Sequence, residues 1–120
     1  MNADKALQAA TGYYQAGNAR QAESLCREIL KIQPQNTGAL FLSGLICQES
    51  NDFDQAIAFY QKALQLNPAL VSAYYNLGSV FQEKGQPDEA ATYYRKALEL
   101  EPALARLRVR VGFQSLRQFL

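Results

Sequence analysis

The chain has 120 residues, no histidine, no tryptophan, one methionine and two cysteines. Without histidine there is no Ser-His or Cys-His nucleophile pair and no imidazole to hold a metal, and two thiols alone cannot complete a four-ligand zinc site. The seven glycines stand singly, so no Gly-rich phosphate loop occurs. No run approaches the ~18 apolar residues that argue for a membrane span. The opening Met-Asn-Ala-Asp-Lys lacks the apolar stretch of a signal peptide. These absences predict a cytoplasmic chain that is not an enzyme, binds no metal or cofactor and spans no membrane. Acids and bases nearly cancel, for a net charge of +1, so no strong steering of a charged partner is implied. The distribution is uneven. Residues 1–102 hold eight Lys/Arg against eleven Asp/Glu, whereas residues 103–120 hold four arginines and no acid.

What the chain does have is a period. Pro34, Pro68 and Pro102 stand 34 residues apart, and Ala22, Ala56 and Ala90 keep the same interval. So do Tyr60 and Tyr94, with Cys26 in their place one period earlier, and Gly44 with Gly78, and Ala63 with Ala97. Between Phe53–Leu70 and Pro87–Leu104, ten of eighteen aligned residues are identical. A fixed period of this length signals a stack of like units, each too small to bury its own apolar face, and such stacks work by offering a surface.

Each unit reads as two antiparallel helices. The first helices are predicted near 3–16, 37–50 and 71–84, and their partners near 19–32, 53–66 and 87–100. Gly17, Asn51 and Gly85 end the first helices, since Gly or Asn readily takes the left-handed conformation there. Asn18 and Asp52 are placed to cap the helices that follow, and Pro87 suits a first helical turn. The acidic pairs Asp52/Asp54 and Asp88/Glu89 open helices, where negative charge is favourable; that reading outweighs acid–base chemistry. Pro34, Pro68 and Pro102 push the preceding residue out of helix and separate the units. Gly44, Gly78, Ala56 and Ala90 let paired helices approach, with Tyr60, Tyr94 and Phe81 filling the space beside them. Cys26 and Cys47, at positions that are aromatic in other units, are expected to be small buried thiols.

The period and residue types resemble the tetratricopeptide repeat family, whose pattern runs aromatic, Leu-Gly, Tyr, then Ala, aromatic and Pro. The third unit carries it best, in Tyr74, Leu77, Gly78, Phe81, Ala90, Tyr94, Ala97 and Pro102. The second keeps Leu40, Gly44, Ala56, Tyr60, Ala63 and Pro68 but departs at Ser43 and Cys47, and the first keeps Tyr13, Ala22 and Pro34. The resemblance implies an all-α right-handed superhelix of three helical hairpins, at 3–36, 37–70 and 71–104, with 105–120 as a C-terminal capping helix that starts an incomplete fourth repeat. It implies a protein–protein interaction module, a scaffold or adaptor, holding a protein or peptide partner in a concave groove lined by the first helix of each unit. By register that groove is expected at Leu7, Thr11 and Tyr14, at Phe41, Leu45 and Gln48, and at Tyr75, Asn76, Ser79 and Gln82. Gln8, Gln15, Leu42, Glu49 and Glu83 are expected to show in the groove as well. Its centre is apolar and aromatic, which suits a peptide bringing apolar anchors.

Chaperone-tail-binding members of the family clamp a terminal carboxylate with basic residues and asparagine. The matching positions here are Leu7, Thr11, Leu42, Ser72 and Asn76, with no cation among them, so such peptides are not expected to bind specifically. Sugar-transferring members carry an asparagine ladder. Asn76 fits one rung, but Gln8 and Leu42 do not continue it. Two alternatives remain: the chain is the N-terminal substrate-recognition segment of a larger enzyme such as a glycosyltransferase, or it is a self-assembling structural module.

In residues 105–120, Arg108, Val111, Gly112 and Ser115 occupy the aromatic, Leu, Gly and Tyr positions of a fourth unit. Leu107 to Phe113 also alternates apolar and basic, a strand pattern, although the register favours helix. Val109, Phe113 and Leu116 add apolar surface that one neighbour cannot cover, so self-association into a homodimer is expected there. A second copy's groove is another dock, with Glu49 and Glu83 meeting Arg106, Arg110 or Arg117. Four arginines without a basic face elsewhere argue against a nucleic-acid partner or a membrane surface.

Overall fold

A computed structural model describes residues 1–106 of the chain. Six α-helices follow one another: α1 Ala3–Gln15, α2 Ala19–Ile32, α3 Thr37–Glu49, α4 Phe53–Leu66, α5 Val71–Glu83 and α6 Pro87–Leu100. No strand occurs among the described residues. The all-α class is as the period implied, and each first helix ends one residue earlier than the pattern suggested, within the usual fraying of helix ends. A 3₁₀ helix spans Pro102–Arg106. Its last two residues overlap the start of the capping helix expected from 105, and stand in a tight 3₁₀ turn. The rest of the expected capping helix, with Val109, Phe113 and Leu116, lies outside the described residues.

The helix ends follow from local chemistry. Gly17, Asn51 and Gly85 hold φ of +83°, +63° and +79°, the left-handed conformation that terminates α1, α3 and α5. Asn18 and Asp52 then accept the backbone N–H of Gln21 and Gln55 through their side chains, and Asn36 accepts that of Ala39 at 2.9 Å. Two helices lack a side-chain cap. α5 opens from Leu70, and α6 opens from Gln86 with Pro87 in its first turn, where the missing N–H costs nothing.

Met1–Asn67 makes one compact unit and the chain from Pro68 a second. In the first unit α3 packs on both helices of the α1/α2 hairpin as well as on its partner α4. Ala10, Ala22, Cys26, Leu42 and Ile46 form a core cluster there, with Leu7, Tyr14, Leu25 and Leu45 resting against it. In the second unit α5 pairs with α6, and Tyr75 and Phe81 pack on buried Ala90 and Tyr94.

One contact recurs in both units. A Cβ on Gly44 would come 2.6 Å from the Tyr60 ring, and one on Gly78 would come 2.7 Å from the Tyr94 ring. Tyr60 is fully buried, lies against Phe41 with ring centroids 5.6 Å apart, and is tied by its hydroxyl to Gln48. Its ring therefore has nowhere to retreat. Gly38 differs, because the one close approach its Cβ would make is to Cδ2 of the half-buried Leu7, with Leu7 Cγ and Asn36 Oδ1 at ordinary contact distance, and the end of a leucine can change rotamer. We expect Gly44→Ala to lower stability by about 1–3 kcal/mol as an overpacking change, less the ~1 kcal/mol that alanine gains in a helix interior. Gly38→Ala is expected to stay within about 0.5 kcal/mol of the parent. Urea denaturation of the two variants measures the difference, and equal midpoints would show that the Tyr60 ring yields.

Candidate functional site

The groove positions fall into three register sets: Leu7, Phe41 and Tyr75; Thr11, Leu45 and Ser79; Tyr14, Gln48 and Gln82. All nine, and Asn76, are half-buried. Each lies on a first helix, beside core positions such as Leu40 and Gly44, or Leu77 and Gly78, which are buried. Adjacent residues on a helix point about 100° apart, so alternate duties along one helix follow from its geometry.

Their partners explain why they are neither core nor free. In the first unit the Thr11 hydroxyl donates to the Leu7 carbonyl at 2.9 Å. Leu7, Tyr14 and Leu45 lean on the core cluster of that unit. The Gln48 Oε1 accepts the Tyr60 hydroxyl at 2.9 Å. In the second unit Tyr75 meets Tyr94 edge to face, centroids 5.4 Å apart, a favourable aromatic geometry. The Tyr94 hydroxyl donates to Ser79 Oγ at 3.2 Å. Gln82 stands one period beyond Gln48, yet Tyr94 chooses the serine, which has no counterpart at Leu45. The Gln82 Oε1 is left buried without a hydrogen-bond partner. The sequence records that only the second unit has the serine, but both units keep the glutamine, so residue type alone does not say which acceptor Tyr94 takes.

Leu42 corrects one expectation. It is expected in the groove but is only 5% exposed and belongs to the core. The α1/α2 hairpin covers it, whereas Asn76, one period later, is half-buried. Gln8, Gln15, Glu49 and Glu83 are exposed.

Burial raises the Tyr14 phenol above its ordinary value, and the Glu49 carboxylate, to which it is hydrogen-bonded, adds to this. Burial pushes the Tyr75 phenol up to about 12, with Tyr94 contributing. The fold thus favours the neutral phenol of Tyr75. That contribution is fully present below the unfolded value near 10 and is lost as pH rises from there through about 12. Stability of the parent chain should therefore fall more steeply than that of Tyr75→Phe between about pH 9 and 11. Denaturant titrations on both sides of pH ~10 read the difference; parallel curves would mean that Tyr75 titrates as a solvated phenol.

A second feature was not anticipated. A cleft of about 400 Å³ opens between α2, α3 and α4. Its walls include Glu23 and Arg27 of α2, Cys47 of α3, and Asp52 and Phe59 at and along α4. Glu23 and Arg27 form an exposed ion pair one turn apart. Cys26 is fully buried as expected, but Cys47 is half-buried and lines this cleft, which corrects its assignment as a core thiol. Burial raises the Cys47 thiol first, and Asp52 and Glu23 raise it further. Among the described residues no group of His, Cys, Asp and Glu is arranged to hold a metal ion, and no helix is long and apolar enough to cross a membrane.

Paired helices at a fixed period, the second and third pairs each closed by a tyrosine over a glycine, define a helical-hairpin repeat protein. Family models described as TPR repeat and Tetratricopeptide repeat match residues 44–85 and 71–104. The chain belongs to the tetratricopeptide repeat family, whose repeats generally mediate protein–protein interaction. No match among curated proteins reaches significance. Among solved structures, a mutant O-GlcNAc transferase of Thermobaculum terrenum is 31% identical with a TM-score of 0.80, over 88% of this chain and 21% of its own. The chain thus spans about a fifth of that enzyme. MamA is similar at 23% identity and TM-score 0.84, over 98% of this chain and 65% of its own. The first TPR of Spaghetti (RPAP3), bound to the HSP90 peptide SRMEEVD, aligns at 20% identity and TM-score 0.81, over 98% and 86%. At those identities the last two speak for the fold alone.

Proposed function

We propose that the chain is a scaffold or adaptor that binds a protein segment along its first helices, through apolar anchors rather than a charged terminus. The observation that carries this reading is the common exposure of the register sets. Leu7, Tyr14, Phe41 and Leu45 in the first unit and Tyr75 in the second are neither sealed in the core nor fully solvated, and partly exposed large apolar residues are where partners dock. The unpartnered Gln82 Oε1 supports it, since a turn of its amide would offer an acceptor to an incoming N–H. Support for apolar anchors comes from the residues that a carboxylate clamp would use. Leu7 and Leu42 pack in the core cluster or against it, and the Thr11 hydroxyl is already bonded to Leu7.

Selection of peptides from a random displayed library tests this. The enriched peptides are expected to share aromatic or aliphatic anchors and to bind equally well with the C-terminus amidated. The peptide SRMEEVD, which Spaghetti holds, is expected to bind this chain no better than its amidated form. Enrichment of sequences that require a free terminal carboxylate would overturn the reading.

The 31% identity to part of a transferase favours a second reading, in which these repeats recognise substrate for a catalytic domain. A catalytic domain encoded in the same native polypeptide would support it.

A further inference from the structure

The cleft between α2, α3 and α4 lies apart from the first-helix residues proposed to bind peptide, and its origin can be read from the repeat. Cys47 stands one period before Phe81, and Phe59 one period before Tyr93. In the second unit Phe81 stacks on Tyr93, centroids 5.4 Å apart and planes within 4°. In the first unit the thiol is too small to fill the equivalent space, and Phe59 is left as a wall of the cleft. The protein thus displays, one repeat on, the side chain that this space accommodates: a flat aromatic ring. At about 400 Å³ the cleft is within the range of roughly 300–1,000 Å³ typical of ligand pockets. Its charge is set by Glu23, Arg27 and Asp52, two acids against one base.

The occupant is therefore an aromatic ring with a cation close by in sequence. The chain carries this chemistry itself. Phe113 follows Arg110 by three residues and Phe119 follows Arg117 by two, in a segment without acids. We propose that the cleft receives Phe113 and its neighbouring Arg110 from the 107–120 segment of a second copy of this chain, the ring stacking on Phe59 and the guanidinium meeting Glu23 and Asp52. Each copy offers one cleft and one segment, so two copies satisfy each other reciprocally, the commonest closed arrangement of protomers. This surface is separate from the peptide-binding reading and stands or falls without it.

The test uses the full chain over a range of concentrations, with sedimentation and alkylation of Cys47 read in parallel. Buried Cys26 serves as the slow internal reference. Dimer is expected to appear with concentration, and Cys47 alkylation to slow as it does. Cys47→Phe fills the cleft from within and should be monomeric without loss of thermal stability. Arg110→Ser with Phe113→Ser leaves the described residues unchanged and should be monomeric with Cys47 reactive at every concentration. Glu23→Gln with Asp52→Asn keeps the α4 cap, because asparagine caps as well as aspartate, and should raise the dimer dissociation constant about tenfold. Four results would each overturn the proposal: a monomer throughout; a dimer whose Cys47 reacts as fast as the monomer's; protection of Cys47 independent of concentration, which would mean the segment folds back on its own chain; or a Cys47→Phe dimer as tight as the parent. Retention of the dimer in Phe41→Ala with Tyr75→Ala supports the cleft as the dock, and its loss there would assign self-association to the first helices instead.

Discussion

Tyr60→Ala is expected to lower the unfolding free energy by about 3–5 kcal/mol, the range for removing a large buried aromatic. Tyr60 has no exposed surface, fills the space over Gly44 and touches the ring of Phe41. Truncation leaves a cavity at the seam between α3 and α4, and glycine has no side chain to collapse into it. Native domains are stable by only about 5–15 kcal/mol, so one substitution removes roughly a fifth or more. Tyr60→Phe separates packing from polarity. It deletes the 2.9 Å bond to Gln48 while keeping the ring, and should cost about 0.5–1.5 kcal/mol. Urea denaturation followed by circular dichroism measures both. If the phenylalanine variant lost as much as the alanine variant, the hydroxyl network rather than ring packing would hold the hairpin.

The second large effect is on binding. Phe41→Ala combined with Tyr75→Ala is expected to weaken capture of the library-selected peptides by 100-fold or more, on the order of two residues that each contribute 1–2 kcal/mol or above. Both rings are half-buried, and each rests on a buried tyrosine, Phe41 on Tyr60 and Tyr75 on Tyr94. Part of each ring is thus fixed and part is presented, a low-entropy way to offer apolar surface. The far-ultraviolet dichroism of the double variant should match the parent's. Loss of helix content would make these residues structural and would remove the proposed face; intact helicity with unchanged peptide binding would place the contacts elsewhere.

How much of this was legible beforehand varies with the distance over which each feature is set. The left-handed residues Gly17, Asn51 and Gly85 and the caps Asn18 and Asp52 depend on a few neighbouring bonds, and they could be read from residue type. Partner choice within a hairpin is harder. Tyr60 and Tyr94 are equivalent by register, but one hydroxyl reaches Gln48 and the other Ser79. The serine exists only in the second unit, the first having Leu45 in its place, but Gln82 is there as well, and which of the two Tyr94 takes is decided by packing and not by residue type.

The 34-residue interval, with its recurring prolines, alanines and tyrosines, by itself determined the all-α hairpin architecture, because helix start, stop and close-approach positions are local and repeat with the period. Only the tertiary structure decided which equivalent positions are covered. Leu42 is buried because α3 also packs on the α1/α2 hairpin. Cys47 borders a cleft where Phe81 closes on Tyr93, since a thiol cannot span the gap that an aromatic ring fills. Burial at a site depends on what the neighbouring helices bring to it, and that is a property of the packed hairpins rather than of any single position in the repeat.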